Sequence, residues 1–353
     1  MVNNPKVLII QNFIPFYREH IYNLIGKESQ LVIAHSGSKS SGLQDVDQVI
    51  LKNRKIGSLN IQSNLINQLG NKDLVIAMFD LHWLSSILSC FYCKWKKIPF
   101  YWWGHGLGSS KLFNYLRLFL LRFSDGLILY SSHSKAIFIS KGIDSKKLFV
   151  APNTIHIENS SFDSKVEKKH FLFVGGLRNI KRIPELIDAF ALFKQELEYR
   201  DIRLFIVGNG PMLEDYMRIV KSLDLSNEIV FTGSITDNVK LKNLFQRSYA
   251  YVSPGDVGLG VLHSFAYGIP VITRHAKYAN HGPEFHNIIH NENGLIYNGN
   301  INSLVDCMKR LVNEKILSLN LGVNAYEFYQ TQRRPSHMIE DMLSLVDNVR
   351  QSK

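Results

Sequence analysis

Short apolar runs alternate with amphipathic helical patterns along most of the chain. Six runs of branched apolar residues in the first half predict strands at 7–11, 31–34, 74–78, 99–103, 126–130 and 148–151. Apolar residues spaced three and four apart predict helices between several of them, for example at 17–26 and 111–123. Strands that alternate with helices are typical of a parallel, doubly wound α/β sheet.

A second series of the same kind begins at residue 170. Strands are predicted at 170–174, 203–207, 229–231, 250–252, 270–273 and 294–297, with a helix at 184–197. The segment ENSSFDSKVEKK before it is polar and has no apolar period, so it predicts a linker. We therefore expect two Rossmann-like domains that face across a cleft: residues 1–157 and 170–335, joined by a linker at 158–169, with a C-terminal helix within 336–353 returning to the first domain.

Composition limits the class of protein. The 353 residues fit two domains, and 45% hydrophobic residues supply a sizeable core. Three cysteines are too few for a disulfide framework, and Cys90 and Cys93 lie in an apolar run, which disfavours redox or metal chemistry. A strand follows the first five residues directly, and lysines and arginines break the longest apolar stretch, 81–123. We therefore expect no secretory signal, no membrane span and a cytoplasmic location.

The net charge of +11 is concentrated in the first half of the chain. Residues 1–150 carry 18 basic and 8 acidic side chains, against 23 and 22 in the remainder. Lysines among aromatic residues, as in KWKKIPFYWW, predict contact of the first domain with an anionic membrane or a lipid-phosphate substrate. Solvated surface lysines are the alternative interpretation. No nucleic-acid-binding motif accompanies the charge, so nucleic acid is not an expected partner.

The stretch 251–273, YVSPGDVGLGVLHSFAYGIPVIT, indicates a ligand site. A strand ends at Ser253, glycines form a turn that lets the backbone approach a ligand, and a short helix is predicted at 261–267. Unpaired N–H groups at a helix start attract anions, so we expect a phosphate-bearing ligand. A tight connection with no ligand is the alternative.

Three further loops follow strands of the second series. Ligands of doubly wound sheets bind beyond the carboxyl ends of the strands, where these loops lie. GGLRNIKR supplies Arg178 and Lys181, cations suited to a diphosphate. GNGP supplies glycines for close backbone approach, and TGS supplies a small polar turn.

Together these motifs resemble the C-terminal half of retaining family-four glycosyltransferases of the GT-B fold. FVGGLRNIKRIPELIDAF is similar to their phosphate loop, LFIVGNGP to their VG-x-GP strand end, IVFTGSI to their nucleobase loop and PGDVGLGVLHSFAYGIPVI to their donor-sugar motif. ENGLIYNGNINSLVDCMKRL is similar to their NGLL segment. The resemblance covers about residues 170–312 and extends weakly to PNTI, WGHG and IPFYR in the first half.

The sequence departs from this family at three positions. Family members carry two glutamates around the glycine–leucine turn, and the corresponding positions here are Gly255 and His263. The phosphate-loop arginine of the family falls on Gly176, with Arg178 two residues on, whereas Lys181 matches directly. We interpret the chain as a divergent bacterial branch in which Asp256, next to the first missing glutamate, is the candidate substitute.

The resemblance implies transfer of a sugar from a UDP- or GDP-sugar to a glycan or lipid-linked acceptor, with retained anomeric configuration. It implies a nucleotide diphosphate sugar as co-substrate and neither a metal nor another cofactor, in O-antigen, capsule or exopolysaccharide biosynthesis. N–H donors and cations would stabilise the charge on the leaving diphosphate. The implied donor-binding residues are Arg178, Lys181, Gly208, Gly210, Thr232, Gly233, Ser234, Gly255, Val257, Gly258, Leu259, His263 and Glu284.

The resemblance also implies catalytic and acceptor-side residues. His105 in WGHGLG resembles the histidine that the family places near the reacting sugar, and Asp256 is the second catalytic candidate. Tyr17 and Arg18 suit an acceptor phosphate or a sugar hydroxyl, although Arg18 as a cap of the sheet edge is the alternative. For Glu284 the alternative is a carboxylate on a surface loop.

Other classes of function remain open. A nucleotide-sugar epimerase shares the two-domain plan but needs proton-transfer carboxylates, which the donor motif has lost. A non-catalytic subunit that binds sugar nucleotides or glycans is compatible with Gly255 and His263 in place of glutamates. A nicotinamide dehydrogenase is disfavoured because the third glycine of GHGLG comes too early for the dinucleotide fingerprint.

Overall fold

The structure of the protein is a computed structural model that describes residues 4–279 and 281–351. The chain divides into two compact units: unit 1 comprises Met1–His156 with Arg334–Lys353, and unit 2 comprises Ile157–Arg333. Each unit is built on a parallel sheet with helices connecting its strands. The predicted α/β class with two Rossmann-like domains is therefore confirmed.

Unit 1 contains a seven-stranded parallel sheet in the order β3-β2-β1-β6-β7-β8-β9. The strands of unit 1 are β1 Lys6–Ile10, β2 Gln30–His35, β3 Asp47–Ile50, β4 Asn53–Ile56, β5 Leu59–Gln62, β6 Leu74–Met78, β7 Phe100–Gly104, β8 Gly126–Leu129 and β9 Leu148–Val150. All six strands predicted for this half are present. The sequence missed β3 and the antiparallel hairpin β4–β5, because these strands are polar or exposed and lack an apolar run.

Four helices of unit 1 lie between its strands. They are α1 Glu19–Glu28, α2 Leu84–Lys96, α3 Lys111–Leu120 and α4 Ser132–Ser140. Cys90 and Cys93 lie buried on α2, and burial raises the pKa of each thiol to about 12. Both are therefore protonated packing residues at neutral pH. Over the described residues, no helix combines the length and the hydropathy needed to cross a membrane.

Unit 2 contains a six-stranded parallel sheet in the order β12-β11-β10-β13-β14-β15. Its strands are β10 His170–Val174, β11 Arg203–Val207, β12 Ile229–Gly233, β13 Ser248–Ser253, β14 Val271–Arg274 and β15 Gly294–Tyr297. Its helices are α5 Ile183–Phe193, α6 Leu213–Ser222, α7 Asn238–Gln246, α8 Gly260–Phe265, α9 Ile301–Asn313 and α10 Lys315–Gln332. In the sheet, β11 lies on one side of β10 and β13 lies on the other side. The loops after β10 and β13 therefore diverge at a switch point, where such sheets bind ligands.

Two further segments belong to these units. Residues 158–169, expected to form a linker, lie in unit 2, where the ring of Phe162 covers Gly268 so closely that a Cβ there would meet it at 2.2 Å. The C-terminal helix α11, Pro335–Gln351, lies in unit 1. Its buried residues Met338 and Met342 join the core that contains helix α1, and Asp341 Oδ2 accepts a hydrogen bond from Val150 N at 2.7 Å.

Candidate functional site

The loops after β10 and β13 pair through their backbones. Gly255 N donates to Lys181 O at 3.2 Å, and Asp256 N donates to Ile180 O at 3.0 Å. A Cβ at position 255 would lie 2.0 Å from Ile180 O, so only glycine permits this approach. The glycine in place of the expected glutamate therefore has a structural reason: it lets the two loops join.

This pairing holds Lys181 against Asp256. Lys181 Nζ donates to Asp256 O at 2.6 Å and to Asp256 Oδ2 at 3.0 Å, and the two side chains are 17% and 26% exposed. The second carboxylate oxygen of Asp256, Oδ1, accepts from Gly282 N at 2.8 Å. The ammonium lies beside the glycine turn, 4.0 Å from where a Cβ of Gly258 would be. A ligand that bound the Lys181 ammonium would therefore also lie close to the Asp256 carboxylate.

Close glycine contacts attach the loops after β11 and β12 to the same edge of the sheet. A Cβ at Gly208, whose φ is +135°, would lie 1.9 Å from Gly175 O. A Cβ at Gly210 would lie 2.3 Å from Leu177 O. Gly208 N in turn donates to Gly233 O at 2.9 Å. The four loops singled out from the sequence are therefore contiguous.

Arg178 and the loop after β12 present polar groups to solvent at this edge. Arg178 is exposed, and its Nε lies 3.7 Å from where a Cβ of Gly176 would be. The Arg178 guanidinium group thus lies close to Gly176, the position that carries arginine in the resembling family. Thr232 and Ser234 are exposed, and Thr232 Oγ1 donates to Gly233 O at 2.9 Å. Their contact with a donor stays a prediction.

His281, which no sequence motif indicated, connects the donor motif to the strand after it. Its Nδ1 accepts from Val257 N at 3.3 Å, and its Nε2 pairs with Arg274 O at 2.8 Å, so the neutral tautomer with a proton on Nε2 satisfies both. Its ring stacks on Phe285 at 4.5 Å, and burial lowers its pKa. Val257, which was predicted to bind the donor, is buried, and its amide already donates to His281. It therefore supports the turn from within.

Glu284 lies next to Asp256. It is buried, and a Cβ at Gly282 would lie 2.7 Å from Glu284 Oε2 and 3.7 Å from Asp256 Oδ1. The alternative that Glu284 is a carboxylate on a surface loop is therefore wrong. Glu284 and Asp256 thus both approach Gly282, and Asp256 in turn contacts Lys181.

His263 lies on the short helix α8 and is partly exposed. Its ring stacks on Phe245 at 4.6 Å and lies 5.6 Å from the ring of Tyr267. Burial lowers its pKa to about 4, so the imidazole is neutral at pH 7. Gly258 and Leu259 precede α8, where backbone N–H groups have no acceptor within the helix. Contacts of these three residues with a nucleotide sugar donor stay predictions.

A second residue that the sequence analysis missed is Glu185, at the start of α5. Its buried carboxylate accepts from Arg182 Nε at 2.7 Å and from Tyr297 Oη at 2.6 Å, and Arg274 Nη1 lies 3.4 Å away. Arg182 has a left-handed backbone, with φ of 53°. Glu185 therefore fixes the end of the Lys181 loop, and only the three-dimensional structure brings its partners together.

In unit 1, His105 follows strand β7 and is exposed. Its ring lies 4.6 Å from the ring of Tyr130, and its carbonyl accepts from Ser134 Oγ at 3.1 Å. Gly106 has a φ of +115°, which turns the chain directly after the histidine. His105 is thus at the carboxyl edge of the sheet, the position expected for a functional loop, and its catalytic role stays a prediction.

Arg18, predicted on the acceptor side, is buried. Its guanidinium carbon lies 4.7 Å from the ring of Trp103 and 5.0 Å from that of Tyr130, and Nη2 donates to Asn153 Oδ1 at 2.7 Å. These contacts match the alternative in which Arg18 caps the sheet edge, because its charge is already enclosed by aromatic rings and an amide. Tyr17, whose ring centroid is 5.8 Å from the same guanidinium, is partly exposed.

The geometry of unit 2 agrees with a comparison of the sequence with known families. Residues 156–328 match the family of glycosyl transferases group 1. This match covers almost all of unit 2, and we refer to the matched residues as the group 1 domain. The pairing of the loops after β10 and β13 is thus a feature of a group 1 domain in which the resembling family's first glutamate is replaced by Gly255.

Curated relatives of the group 1 domain are distant. The chain is 24% identical over 173 residues to N-acetyl-alpha-D-glucosaminyl L-malate synthase of Bacillus anthracis, an alignment of 49% of this chain and 43% of the relative. It is 24% identical over 225 residues to poly(ribitol-phosphate) alpha-N-acetylglucosaminyltransferase of Staphylococcus aureus, 63% of this chain and 44% of the relative. The chain therefore spans less than half the length of each of these proteins.

Similarity of fold extends over both units. HepE of Anabaena, solved in complex with UDP, superposes with a TM-score of 0.77 at 14% identity, over 97% of this chain and all of HepE. At this identity the likeness establishes the shared GT-B fold, which includes the part of the chain outside the group 1 domain.

Proposed function

We propose that the protein is a glycosyltransferase that moves a sugar from a UDP- or GDP-sugar to a hydroxyl of a glycan or lipid-linked acceptor. The observation that supports this most directly is the joining of the loops after β10 and β13, which holds Lys181 beside a glycine turn at the switch point of a group 1 domain. The UDP bound by HepE, which has the same fold, supports the donor class.

Stabilisation of the leaving diphosphate is the chemical task of this site. Cleavage of the glycosyl–phosphate bond moves negative charge onto the diphosphate, and preorganised donors lower the barrier because they need no rearrangement. We assign Lys181 and Arg178 to the diphosphate, together with the amides of Gly258 and Leu259. We assign His263 to the ribose through its neutral imidazole, and Thr232 to Ser234 to the base.

Asp256 and His105 are the catalytic residues of the proposal. Asp256 Oδ2 contacts the Lys181 ammonium at 3.0 Å, so this carboxylate would lie close to a diphosphate bound by Lys181. Retention of the anomeric configuration and independence of metal ions are part of the proposal. Lys181 and Arg178 supply the positive charge for which other enzymes use a metal ion.

The acceptor and the cellular setting extend this proposal. The relative from Staphylococcus aureus acts on poly(ribitol-phosphate), which supports a surface polymer or its precursor as the acceptor class. A cytoplasmic enzyme that uses a lipid-linked acceptor would work at the inner face of the membrane. We therefore propose a role in surface polysaccharide biosynthesis, with contact to an anionic membrane through unit 1.

A non-catalytic subunit that binds sugar nucleotides is the second candidate. It is favoured by one observation: the backbone contact of Gly255 with Ile180 O leaves no space for the missing carboxylate. The two candidates differ in turnover, because a binding subunit would bind a sugar nucleotide without releasing the nucleoside diphosphate in the presence of an acceptor.

A thermal-shift screen of the purified chain against UDP, GDP, ADP and dTDP, alone and as sugar conjugates, tests the donor site. A specific ligand raises the melting temperature by mass action, so we expect one base to give a clear shift. Release of that nucleoside diphosphate with candidate acceptors then separates the enzyme from the binding subunit. No shift with any of these nucleotides, from a folded sample, would contradict both.

Lys181→Ala is expected to weaken nucleoside diphosphate binding by about 1.5–3 kcal/mol, because a hydrogen bond between charged groups is lost. This is roughly a 10- to 150-fold rise in Kd, measurable by calorimetric titration. Lys221→Ala is the matched control, since Lys221 is exposed in the last turn of α6, away from the carboxyl edge of the sheet. Equal affinities of the two variants would remove Lys181 from the site.

A further inference from the structure

Helices α2 and α3 of unit 1 each expose an apolar stripe to solvent. On α2 the stripe consists of Leu88, Phe91 and Trp95, spaced three and four residues apart. On α3 it consists of Leu112, Tyr115, Leu116 and Phe119, with the same periodicity. Surface helices normally direct such a stripe towards the core, so an exposed stripe on two successive helices indicates an interaction surface.

Aromatic contacts join the two stripes into one surface. The ring of Phe123 lies 4.9 Å from the ring of Phe91 on α2 and 5.1 Å from that of Phe119 on α3. We call these two stripes with Phe123 the α2–α3 face. Its most exposed residues are two amphipathic aromatics and a leucine, and Trp and Tyr are the aromatic residues that favour a membrane–water interface.

The charged residues within the segment that forms the α2–α3 face are all basic. Residues 84–123 contain no aspartate or glutamate. Five exposed cations lie in this segment: Lys94, Lys96, Lys97, Lys111 and Arg122. Apolar residues flanked by lysines are the pattern of helices that lie in the interface of an anionic bilayer, where the apolar side enters the acyl boundary and the cations bind phosphates.

A cavity of about 460 Å³ opens at the end of α3 and adjoins this face. Tyr115 and Phe119 of the stripe line it together with Arg122, Lys141 and Lys147. Asp144 also lines the cavity, and its Oδ1 accepts from Lys146 N at 2.9 Å. Three cations beside two aromatic rings suit the phosphate of a phospholipid headgroup whose acyl chains lie along the stripe.

We propose that the α2–α3 face binds the surface of an anionic phospholipid bilayer, with a headgroup phosphate in the adjoining cavity. Charge decides against a second copy of the chain as the occupant. A two-fold symmetric dimer would bring the same surface of each protomer together, and like charges would then oppose one another with no acidic residue in the segment to compensate. The inference does not depend on transferase activity, because vesicle binding needs neither donor nor acceptor.

Co-sedimentation of the full chain with vesicles of phosphatidylcholine alone, or mixed with 30% phosphatidylglycerol, tests the proposal. We expect at least about tenfold stronger binding to the mixed vesicles, weakened by salt because the cations are exposed. A chain that stays in the supernatant with both vesicle types would overturn the proposal. Brominated lipids are expected to quench tryptophan fluorescence in the native chain and much less in Trp95→Phe.

The triple variant Trp95→Ser, Leu112→Ser, Tyr115→Ser is expected to lose at least about tenfold in vesicle binding. Its control is Leu197→Ser, Val239→Ser, Ile316→Ser in unit 2. The exposed fractions match: 72%, 74% and 73% on the face, against 67%, 68% and 78% in the control. Equal binding of the two triple variants would remove the face from the interaction.

Two further measurements test the headgroup and the alternative occupant. Arg122→Gln with Lys141→Gln is expected to reduce the preference for phosphatidylglycerol, because two of the three cavity cations are neutralised. An unchanged preference would contradict the assignment of the cavity. Light scattering of the native chain is expected to give a monomer or an oligomer that the triple variant retains. A dimer that the triple variant dissociates, without vesicle binding, would assign the face to a second copy instead.

Discussion

The ion pair between Lys181 and Asp256 has consequences for how a diphosphate enters the site. The ammonium already contacts a carboxylate oxygen at 3.0 Å and a carbonyl oxygen at 2.6 Å. An incoming diphosphate would therefore share Lys181 with a negative charge instead of meeting a free cation. Repulsion from Asp256 opposes binding of the diphosphate in the ground state.

Asp256→Asn is expected to tighten nucleoside diphosphate binding by about threefold to tenfold, roughly 1 kcal/mol, because a negative charge beside the phosphates is removed. The amide can still accept the hydrogen bond from Gly282 N. Calorimetric titration measures the effect, with Asp306→Asn on the exposed side of α9 as the control. Weaker binding in Asp256→Asn would show that the carboxylate mainly positions Lys181.

His170 is expected to make unit 2 less stable at acidic pH. It is buried, with its Nε2 paired with Leu244 O at 2.8 Å, and burial lowers its pKa to about 4. Its pKa in the unfolded chain is about 6.5, so between these values the unfolded state binds the extra proton and stability falls as the pH falls. From pH 7 to pH 5 the loss is about 1–2 kcal/mol.

Urea unfolding at pH 7 and pH 5, in the native chain and in His170→Gln, isolates this contribution of His170. The other ionisable side chains are the same in both proteins, so their effects cancel in the comparison. The native chain should lose about 1–2 kcal/mol more than the variant. Equal losses would mean that His170 is protonated in the folded state without cost.

Some residues of the site follow from sequence patterns and others do not. Lys181 could be found because a basic residue after a buried strand and a glycine pair is a local pattern. His281 and Glu185 could not, because their roles depend on partners from other strands: Val257 for His281, and Tyr297 for Glu185. The burial of Arg18 likewise depends on aromatic rings more than eighty residues away, so its charge alone suggested a ligand.

At the scale of elements, the close approach of the loops after β10 and β13 determines which residues the donor motif can carry. Gly255→Ala is expected to destabilise the fold by at least about 2 kcal/mol, because the new Cβ meets backbone atoms that cannot rotate away. Gly70→Ala is the control, since a Cβ there meets nothing within 4 Å. Thermal denaturation of both variants measures the difference.

The same contact predicts the outcome of restoring the two family glutamates. Gly255→Glu should destabilise the fold as much as Gly255→Ala, whereas His263→Glu should be tolerated, because His263 is partly exposed on α8. A stable Gly255→Glu protein would mean that the loops after β10 and β13 separate easily.

Elements were predictable wherever burial produced a continuous apolar run. The central strands β1, β6 and β10 are of this kind, since parallel strands covered on both faces are mainly apolar. Strand β4 is exposed at all four residues and carries no such run, so only its partner β5 and its turn define it. The glycine contacts between loops are also invisible in the sequence, because a glycine turn gives no indication of which backbone it will meet.

At the scale of the whole molecule, unit 1 depends on the last residues of the chain. Removal of residues 334–353 is expected to destabilise unit 1 by several kcal/mol, because α11 buries Met338, Met342, Leu345 and Val346 in its core. Unit 2 contains none of these residues and should keep its affinity for nucleotides. Calorimetric unfolding with nucleotide titration measures both, and loss of nucleotide binding in the truncated chain would show that the units do not fold independently.

The discontinuity of unit 1 also sets the order of events during synthesis. A ribosome that has finished His156 must add roughly 200 further residues before α11 exists, which takes roughly 10–40 s at ordinary elongation rates. For that time the surface of α1 that α11 covers stays open, whereas unit 2 is continuous and can close first. The domain encoded first is therefore completed last, and its nascent form is the stage at which this protein would most need a chaperone.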